Sequence, residues 1–444
     1  MRSYCIKIIA LFLLTIGYSQ ENTNSFTLEE AIAFALENNY SAINADRDII
    51  DAQKQKWEVI ASGLPQISAG VNYQNQLKQP ISLIPAELAG GAPGEFIEVV
   101  FGVPQTLTAT GTLRQKIFDG TYIVGVQATK SFLSYSTNNK EKTQLEVRKA
   151  VTEAYGNVLL ARESVAILEK NKANLEKNLF ETTKIYENGL GDEESVEQLQ
   201  ITLSNIDNQL KNAIRLQDIT LQMLNLIMGI AIDAPTTLEE QLDDLAQKQM
   251  ASEMAADVFN IENNVDYKLA INLNEQRYFE WKQAKSRALP SLDAFVNYGS
   301  SSFGEQFNFF DSGQPWFDFS TFGVDLNIPI FSSLGRSATT QRAKIALEKA
   351  KTQLQEAEAQ IRLQLARAES DFTLAIEQYN TSKENLGLAE RIERKNQLKY
   401  SEGIATSFEL RQAQTQLYDA QQGYLTAMVD VINKKTALEV ILNE

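Results

Sequence analysis

The segment QISAGVNYQ, at positions 66–74, alternates strictly between polar and apolar side chains. In a β-strand successive side chains point to opposite faces, so this segment would present one apolar face made of Ile67, Ala69, Val71 and Tyr73. Three further segments alternate in the same way, at positions 106–113, 292–298 and 321–328. Phe295 is an exception to the alternation, because it is a large apolar residue on a face that is otherwise polar. The pattern predicts four β-strands in the chain.

These strands could belong to a soluble antiparallel sheet with one face on a core, or to a membrane barrel. Each segment is close to the roughly 9–11 residues of a tilted transmembrane strand. The connection at 79–104 is rich in proline and glycine and is predicted to be a loop, whereas the connection at 300–319 is strongly aromatic: Phe303, Phe307, Phe309, Phe310, Trp316, Phe317 and Phe319. Because aromatic side chains are enriched at membrane–water interfaces, length and composition favour transmembrane strands.

The chain contains an internal two-fold repeat. Three short motifs recur at a distance of 225 positions: residues 37–39 at 262–264, 64–65 at 289–290, and 71–73 at 296–298. A second group that begins with Tyr186 and Gly189 recurs 214 positions later, from Tyr400 and Gly403. We therefore predict a first structural repeat at 20–228, an inter-repeat segment at 229–254 and a second structural repeat at 255–444. Each repeat would hold a leading helix, a strand pair and a helical hairpin.

The helical parts follow a heptad spacing of apolar residues, for example from Val147 through Val151, Ala154 and Val158. No proline falls between Pro104 and Pro235 or after Pro329, so each repeat can hold a helix of about 65 residues, about 100 Å long. Gly189 and Gly403 interrupt the heptads at equivalent places, where each long helix should end and an antiparallel partner begin. Taken alone, such helices would also suit an ordinary coiled-coil scaffold.

The inter-repeat segment carries four acidic residues, Glu239, Glu240, Asp243 and Asp244. We expect them to form a solvated face without a ligand.

Composition excludes several classes of function. The chain has no histidine, so it has neither a histidine metal ligand nor a histidine general base. Its formal charge of −16 disfavours binding to nucleic acid. Residues 1–19 have the layout of a secretory signal peptide, and Cys5, the only cysteine, lies within it. We expect an exported protein that is not an enzyme and needs no cofactor. A carboxylate-based hydrolase is the remaining catalytic alternative, but no convergent pocket is indicated.

Four transmembrane strands cannot close a barrel, because an open edge would leave backbone groups unsatisfied in lipid. Two copies would form eight strands, whose interior side chains largely fill, whereas three copies would form twelve strands around a passage. The expected fold is thus a mixed α and β membrane protein, a homotrimer with a twelve-stranded barrel that continues into long antiparallel coiled-coil helices.

Several motifs together resemble those of the TolC-type outer membrane efflux proteins. They are the opening Thr27-Leu28-x-Glu30-Ala31-Ile32, the strands led by Leu-Pro, the strand end Ile328-Pro329-Ile330-Phe331 and the paired Tyr-x-x-Gly turns. The resemblance covers the chain after residue 19 and implies a trimer in the cell outer membrane whose helices extend into the periplasm. It also implies that the helix turns dock onto a membrane-fusion adaptor and an inner-membrane pump, or onto a type I secretion transporter.

The family also implies a periplasmic gate made of a tyrosine, an arginine and two aspartates. Tyr400 matches the tyrosine, and Glu409 stands at the first aspartate position. Ala405 replaces the arginine and Gln412 the second aspartate, so half of that polar set is missing. The turn residues Gly189, Leu190, Gly403 and Ile404 would form the docking surface.

The resulting functional hypothesis is an outer membrane channel that conducts small molecules or polypeptide from periplasmic partners to the exterior. The alternative is an exported coiled-coil scaffold or adhesion protein without channel activity.

Overall fold

The computed structural model describes residues 24–251 and 259–443, so the predicted signal peptide at 1–19 lies outside the described residues. The chain forms two compact units. The sheet unit comprises Ile49–Ser136 and Ala270–Leu354, and the helical unit comprises the described residues within 24–48, 137–269 and 355–443.

The strands are β1 (Asn24–Phe26), β2 (Gln66–Asn75), β3 (Ile81–Pro85), β4 (Phe96–Val100), β5 (Gln105–Asp119), β6 (Thr236–Leu238), β7 (Ser291–Gly304) and β8 (Phe317–Asn327). The α-helices are α1 (Leu28–Asn38), α2 (Tyr40–Ala61), α3 (Gly120–Glu187), α4 (Glu193–Met228), α5 (Leu242–Ala251), α6 (Val265–Ser286), α7 (Gly335–Ser401) and α8 (Ser407–Leu442). Helices α3 and α7, of 68 and 67 residues, confirm the two predicted long helices. Within the described ranges, no helix is both long and apolar enough to cross a membrane.

The four predicted strands form one antiparallel sheet in the order β2-β5-β7-β8. The register places Val71 opposite Ala109, and Asn72 opposite Thr108. On the polar face, the hydroxyl groups of Thr108 and Ser301 lie 2.9 Å apart, within hydrogen-bonding distance. The sheet therefore has the predicted apolar face and the predicted polar face, and its apolar residue Val71 is 73% exposed.

The exception on the polar face, Phe295, pairs with a glycine on the next strand. Phe295 lies directly opposite Gly323, and a Cβ atom at Gly323 would come within 2.3 Å of the phenylalanine ring. The Arg114 guanidinium lies 5.7 Å from the centre of the same ring. An aromatic ring is thus accommodated on this face because the neighbouring position has no side chain.

One of the two connections between paired strands differs from the sequence prediction. The connection at 79–104, predicted to be a loop, contains the hairpin β3–β4, in which Ile84 pairs with Ile97. The aromatic connection at 300–319 packs against the sheet: the rings of Phe307 and Phe309 lie 5.3 and 6.1 Å from that of Tyr73, and Phe309 is buried.

The core of the helical unit is formed by buried residues of α1, α3, α4, α5, α7 and α8. Val151 and Val158 of α3 are buried in it, as the heptad spacing predicted, and Tyr155 and Leu159 are buried as well although they lie outside that spacing. Leu175 is buried in a smaller cluster with Leu199 and Ile206 of α4. The heptad pattern therefore predicted part of the buried face of α3.

The segment at 229–254 is only in part the solvated acidic face that its composition predicts, because Glu239 and Asp244 are exposed whereas Glu240 and Asp243 are half-buried. Asp243 accepts hydrogen bonds from the hydroxyl groups of Tyr379 (3.1 Å) and Tyr424 (2.7 Å). Burial, together with the neighbouring Asp243, raises the pKa of Tyr424 above its ordinary value. The carboxylate of Glu240 accepts from the backbone N–H of Leu28 at 2.9 Å. The prediction was wrong for these two residues because their partners lie far away in sequence.

The same segment is tied to the N-terminal part of the chain and to α3. Strand β6 pairs in parallel with β1. The Arg162 guanidinium donates to the backbone carbonyls of Leu238 (3.0 Å) and Glu240 (2.5 Å). These bonds satisfy one carbonyl group at the end of β6 and one just after it, and they hold the segment against α3.

Candidate docking and gating site at the helix turns

The first helix turn, after α3, is closed by a glycine in the left-handed conformation. Gly189 has φ +72°, and its N–H donates to the Tyr186 carbonyl at 2.8 Å. The N–H of Leu190 donates to the Ile185 carbonyl at 3.1 Å. This pair of bonds is the Schellman arrangement that ends a helix. Asp192 then caps α4 by accepting from the Ser195 N–H at 2.7 Å.

The second turn, after α7, repeats this arrangement. Gly403 has φ +74°, its N–H donates to the Tyr400 carbonyl at 3.0 Å, and the Ile404 N–H donates to the Lys399 carbonyl at 2.8 Å. A Cβ atom at Gly189 or Gly403 would meet no atom within 4 Å. Backbone conformation, rather than lack of space, therefore explains glycine at both turns.

Both turns present apolar side chains to solvent. Leu190 and Ile404 follow the two glycines and are exposed, as is Phe408 in the first turn of α8. The Arg411 guanidinium lies 5.4 Å from the centre of the Phe408 ring. Sequence reasoning selected Leu190 and Ile404 but missed Phe408, whose signal was an aromatic residue just after the predicted turn.

Tyr400 contacts the first helical hairpin. Its hydroxyl group lies 2.7 Å from that of Thr182, which is buried on α3. One helical turn before Thr182, the side-chain amides of Asn178 and Gln397 exchange two hydrogen bonds, at 3.0 and 3.2 Å. Tyr400 is thus part of a polar contact between α3 and α7, and sequence reasoning missed its partner Thr182.

The shorter helices make polar contacts of the same kind. The hydroxyl groups of Ser195 on α4 and Ser407 on α8 lie 2.8 Å apart. The Arg411 guanidinium donates to the side-chain carbonyl of Gln198. Beside the turns, the two hairpins are therefore joined largely through hydrogen bonds rather than through an apolar core.

Glu409 has a local partner. Its carboxylate accepts from the backbone N–H of Thr406 at 2.8 Å, and the Thr406 hydroxyl accepts from the Glu409 N–H at 3.2 Å. This is a capping box at the start of α8. The bonds from Thr406 hold the pKa of Glu409 below its ordinary value. Tyr400 and Glu409 therefore have different partners, one across the hairpins and one within the cap, and Gln412 is exposed.

The site shows no arrangement suited to metal binding. Across residues 24–251 and 259–443, no group of three or more aspartate, glutamate, cysteine or histidine side chains is placed to hold a metal ion. The chemistry of the turns consists of exposed apolar side chains, hydrogen-bonded hairpins and a few exposed charges.

Comparison with known proteins gives consistent matches. Residues 268–444 match the family described as outer membrane efflux protein. The predicted family resemblance is confirmed. The outer membrane protein TolC of Vibrio cholerae is 24% identical to the chain over 326 residues, which span 68% of this chain and 70% of that protein. The family match also confirms the predicted outer-membrane location.

Solved structures of outer membrane proteins share the fold. The outer membrane protein VceC of Vibrio cholerae superposes with a TM-score of 0.70 at 17% identity, over 94% of this chain and 96% of that one. The open state of the MtrE outer membrane channel of Neisseria gonorrhoeae gives 0.69 at 16% identity, over 94% and 88%. The architecture is therefore the helix-rich mixed α and β fold of TolC-like outer membrane channels.

Proposed function

We propose that this efflux-family protein is the outer membrane channel of a tripartite efflux or type I secretion system. The observation that carries the proposal is the four-stranded sheet, which has one apolar face, one polar face and two open edges, β2 and β8. In lipid, backbone groups at open edges lack hydrogen-bond partners. Three copies that join these edges would form a closed barrel of twelve strands with its polar faces around a passage.

The helical parts would extend this passage into the periplasm. Exposed Leu190 and Ile404, held by the turns at Gly189 and Gly403, would dock onto a membrane-fusion adaptor and an inner-membrane pump. Tyr400 and Glu409 would line the gate of the passage. The polar bonds between the hairpins support this role, because hydrogen bonds that water can replace are easier to exchange than a packed core.

The remaining assignments complete the proposal. Residues 1–19 would be removed as a signal peptide, and the repeats would comprise 20–228 and 255–444, joined by 229–254. The protein would act without a cofactor, a catalytic residue or nucleic acid. Its cargo would be small molecules or polypeptide selected by the periplasmic partners.

The proposal predicts that the detergent-solubilised protein is a trimer and forms conducting pores in planar lipid bilayers. Native mass spectrometry measures the number of copies, and bilayer recordings measure conductance. A stable monomer without pore activity would contradict the channel and favour an exported coiled-coil scaffold or adhesion protein.

The gate proposal predicts that Glu409→Gln lowers the cation selectivity of the pore, because one negative charge is lost from each of three copies. Glutamine also serves in a capping box, so the start of α8 should be preserved. Thr406→Ala is the matched control, since it removes the cap hydroxyl and keeps the charge. Reversal potentials in asymmetric KCl measure selectivity. Equal selectivity in the wild type and Glu409→Gln would leave Glu409 only its capping role.

A further inference from the structure

The strand order determines how a second copy could continue the sheet. Strand β2 is antiparallel to β5, β5 to β7, and β7 to β8, so the two edge strands β2 and β8 run in opposite directions. If β8 of one copy pairs with β2 of the next, the residues that follow β8 must run beside the residues that precede β2 in that neighbour. Segments 328–334 and 57–65 are thereby brought together.

The segment after β8 is strongly apolar and exposed. Ile330 is 89% exposed, Phe331 80% and Leu334 75%. Ser333 and Leu334 have φ values of +48° and +63°, in the left-handed region that non-glycine residues avoid. Residues in strained conformations of this kind are found clustered at functional sites. Here the conformation presents a leucine side chain to solvent.

This corner is held in place by its own hydrogen bonds. The Arg336 guanidinium donates to the Pro329 carbonyl at 2.8 Å. The N–H of Gly335 donates to the Ser332 carbonyl, also at 2.8 Å. The apolar side chains therefore project from an ordered turn that precedes α7.

The corner before β2 is apolar and ordered as well. Trp57, near the end of α2, and Leu64, in the turn that follows α2, are both exposed. A Cβ atom at Gly63 would overlap the ring of Tyr122, so this turn packs directly on that ring. Gln115 also donates to the Gly63 carbonyl at 2.8 Å. Leu64 is thus presented on a fixed turn.

Prolines limit backbone pairing at both corners. Pro65 directly precedes β2, and Pro329 lies two residues after the end of β8. Because proline has no N–H to donate, the backbone ladder between two copies should end near these residues. Beyond that point, contact between copies has to be made by side chains.

We propose that Ile330, Phe331 and Leu334 of one copy pack against Trp57 and Leu64 of the next copy and form an apolar clasp at each subunit boundary. The inference rests on the proposed closed barrel and names the surface that joins its subunits. Both halves of the clasp lie within the sheet unit, so one type of contact would be repeated around the ring. Apolar surface that is exposed in the single chain would be removed from water on assembly.

Site-directed crosslinking tests the clasp. Cys5 is the only native cysteine and lies in the predicted signal peptide, so an introduced pair supplies the thiols of the exported chain. The double variant Leu64→Cys with Leu334→Cys, treated with a short bismaleimide in detergent, should give covalent dimers and trimers on a denaturing gel. Each single variant should give none. The matched control is Leu77→Cys with Leu334→Cys, because exposed Leu77 follows the opposite end of β2.

Two outcomes separate this inference from the channel proposal. If native mass spectrometry shows a trimer and the Leu64–Leu334 pair gives only monomers, the clasp is wrong and these corners face lipid or solvent. If the protein is monomeric before crosslinking, the channel proposal itself fails, and the clasp fails with it.

Discussion

Replacing Val71 with arginine is expected to destabilise the membrane-inserted protein by about 2–4 kcal/mol, the cost of a charge near the bilayer midplane on the lipid face of a barrel. Val71 belongs to the apolar face of β2, pairs with Ala109 and is 73% exposed in the single chain. Because few contacts within the chain would be lost, the cost should arise from lipid.

Asn72→Arg is the matched control, since the two positions are adjacent on the same strand and both are exposed. The Asn72 side chain points to the polar face, where Arg114 is already accommodated. Urea-induced unfolding in lipid vesicles measures both variants, and the yield of assembled trimer gives a second readout. Equal defects would show that the two faces were assigned wrongly or that the sheet does not contact lipid.

Gly403→Val is expected to abolish export and to leave trimer assembly and membrane insertion intact. Gly403 has φ +74°, a conformation that costs an L-residue about 1–2 kcal/mol and a β-branched residue more. The turn should therefore change shape and displace the exposed Ile404 from the surface proposed to contact the adaptor. Strands β2, β5, β7 and β8 lie in the sheet unit and Gly403 in the helical unit, so the four-stranded sheet should form as before.

Gly423→Val in α8 is the control for this experiment. A Cβ atom there also meets no atom within 4 Å, but the residue has an ordinary helical conformation. Substrate accumulation in cells that depend on the variant measures export, and a native gel measures assembly. Normal export by Gly403→Val would remove the turn from the proposed docking surface.

Local sequence patterns predicted most of the secondary structure. Period-two alternation identified β2, β5, β7 and β8, and heptads free of proline identified α3 and α7. The hairpin β3–β4 was missed, because its connection at 79–104 is rich in the proline and glycine that usually mark loops. Local composition did not predict this hairpin, because the pairing between Ile84 and Ile97 depends on contacts across the two strands.

The sequence by itself determined the four alternating strands, the two long helices and the glycines that end them, because each of these properties depends on residues close together along the chain. The tertiary structure alone decided which polar groups meet. Asp243 accepts hydrogen bonds from Tyr379 and Tyr424, which are 136 and 181 positions away along the chain. The hydroxyl group of Tyr400 is within hydrogen-bonding distance of that of Thr182, which is 218 positions away. Only the strand order reveals that the edges β2 and β8 run in opposite directions. Such contacts follow from how whole elements pack, and no periodicity within one element encodes them.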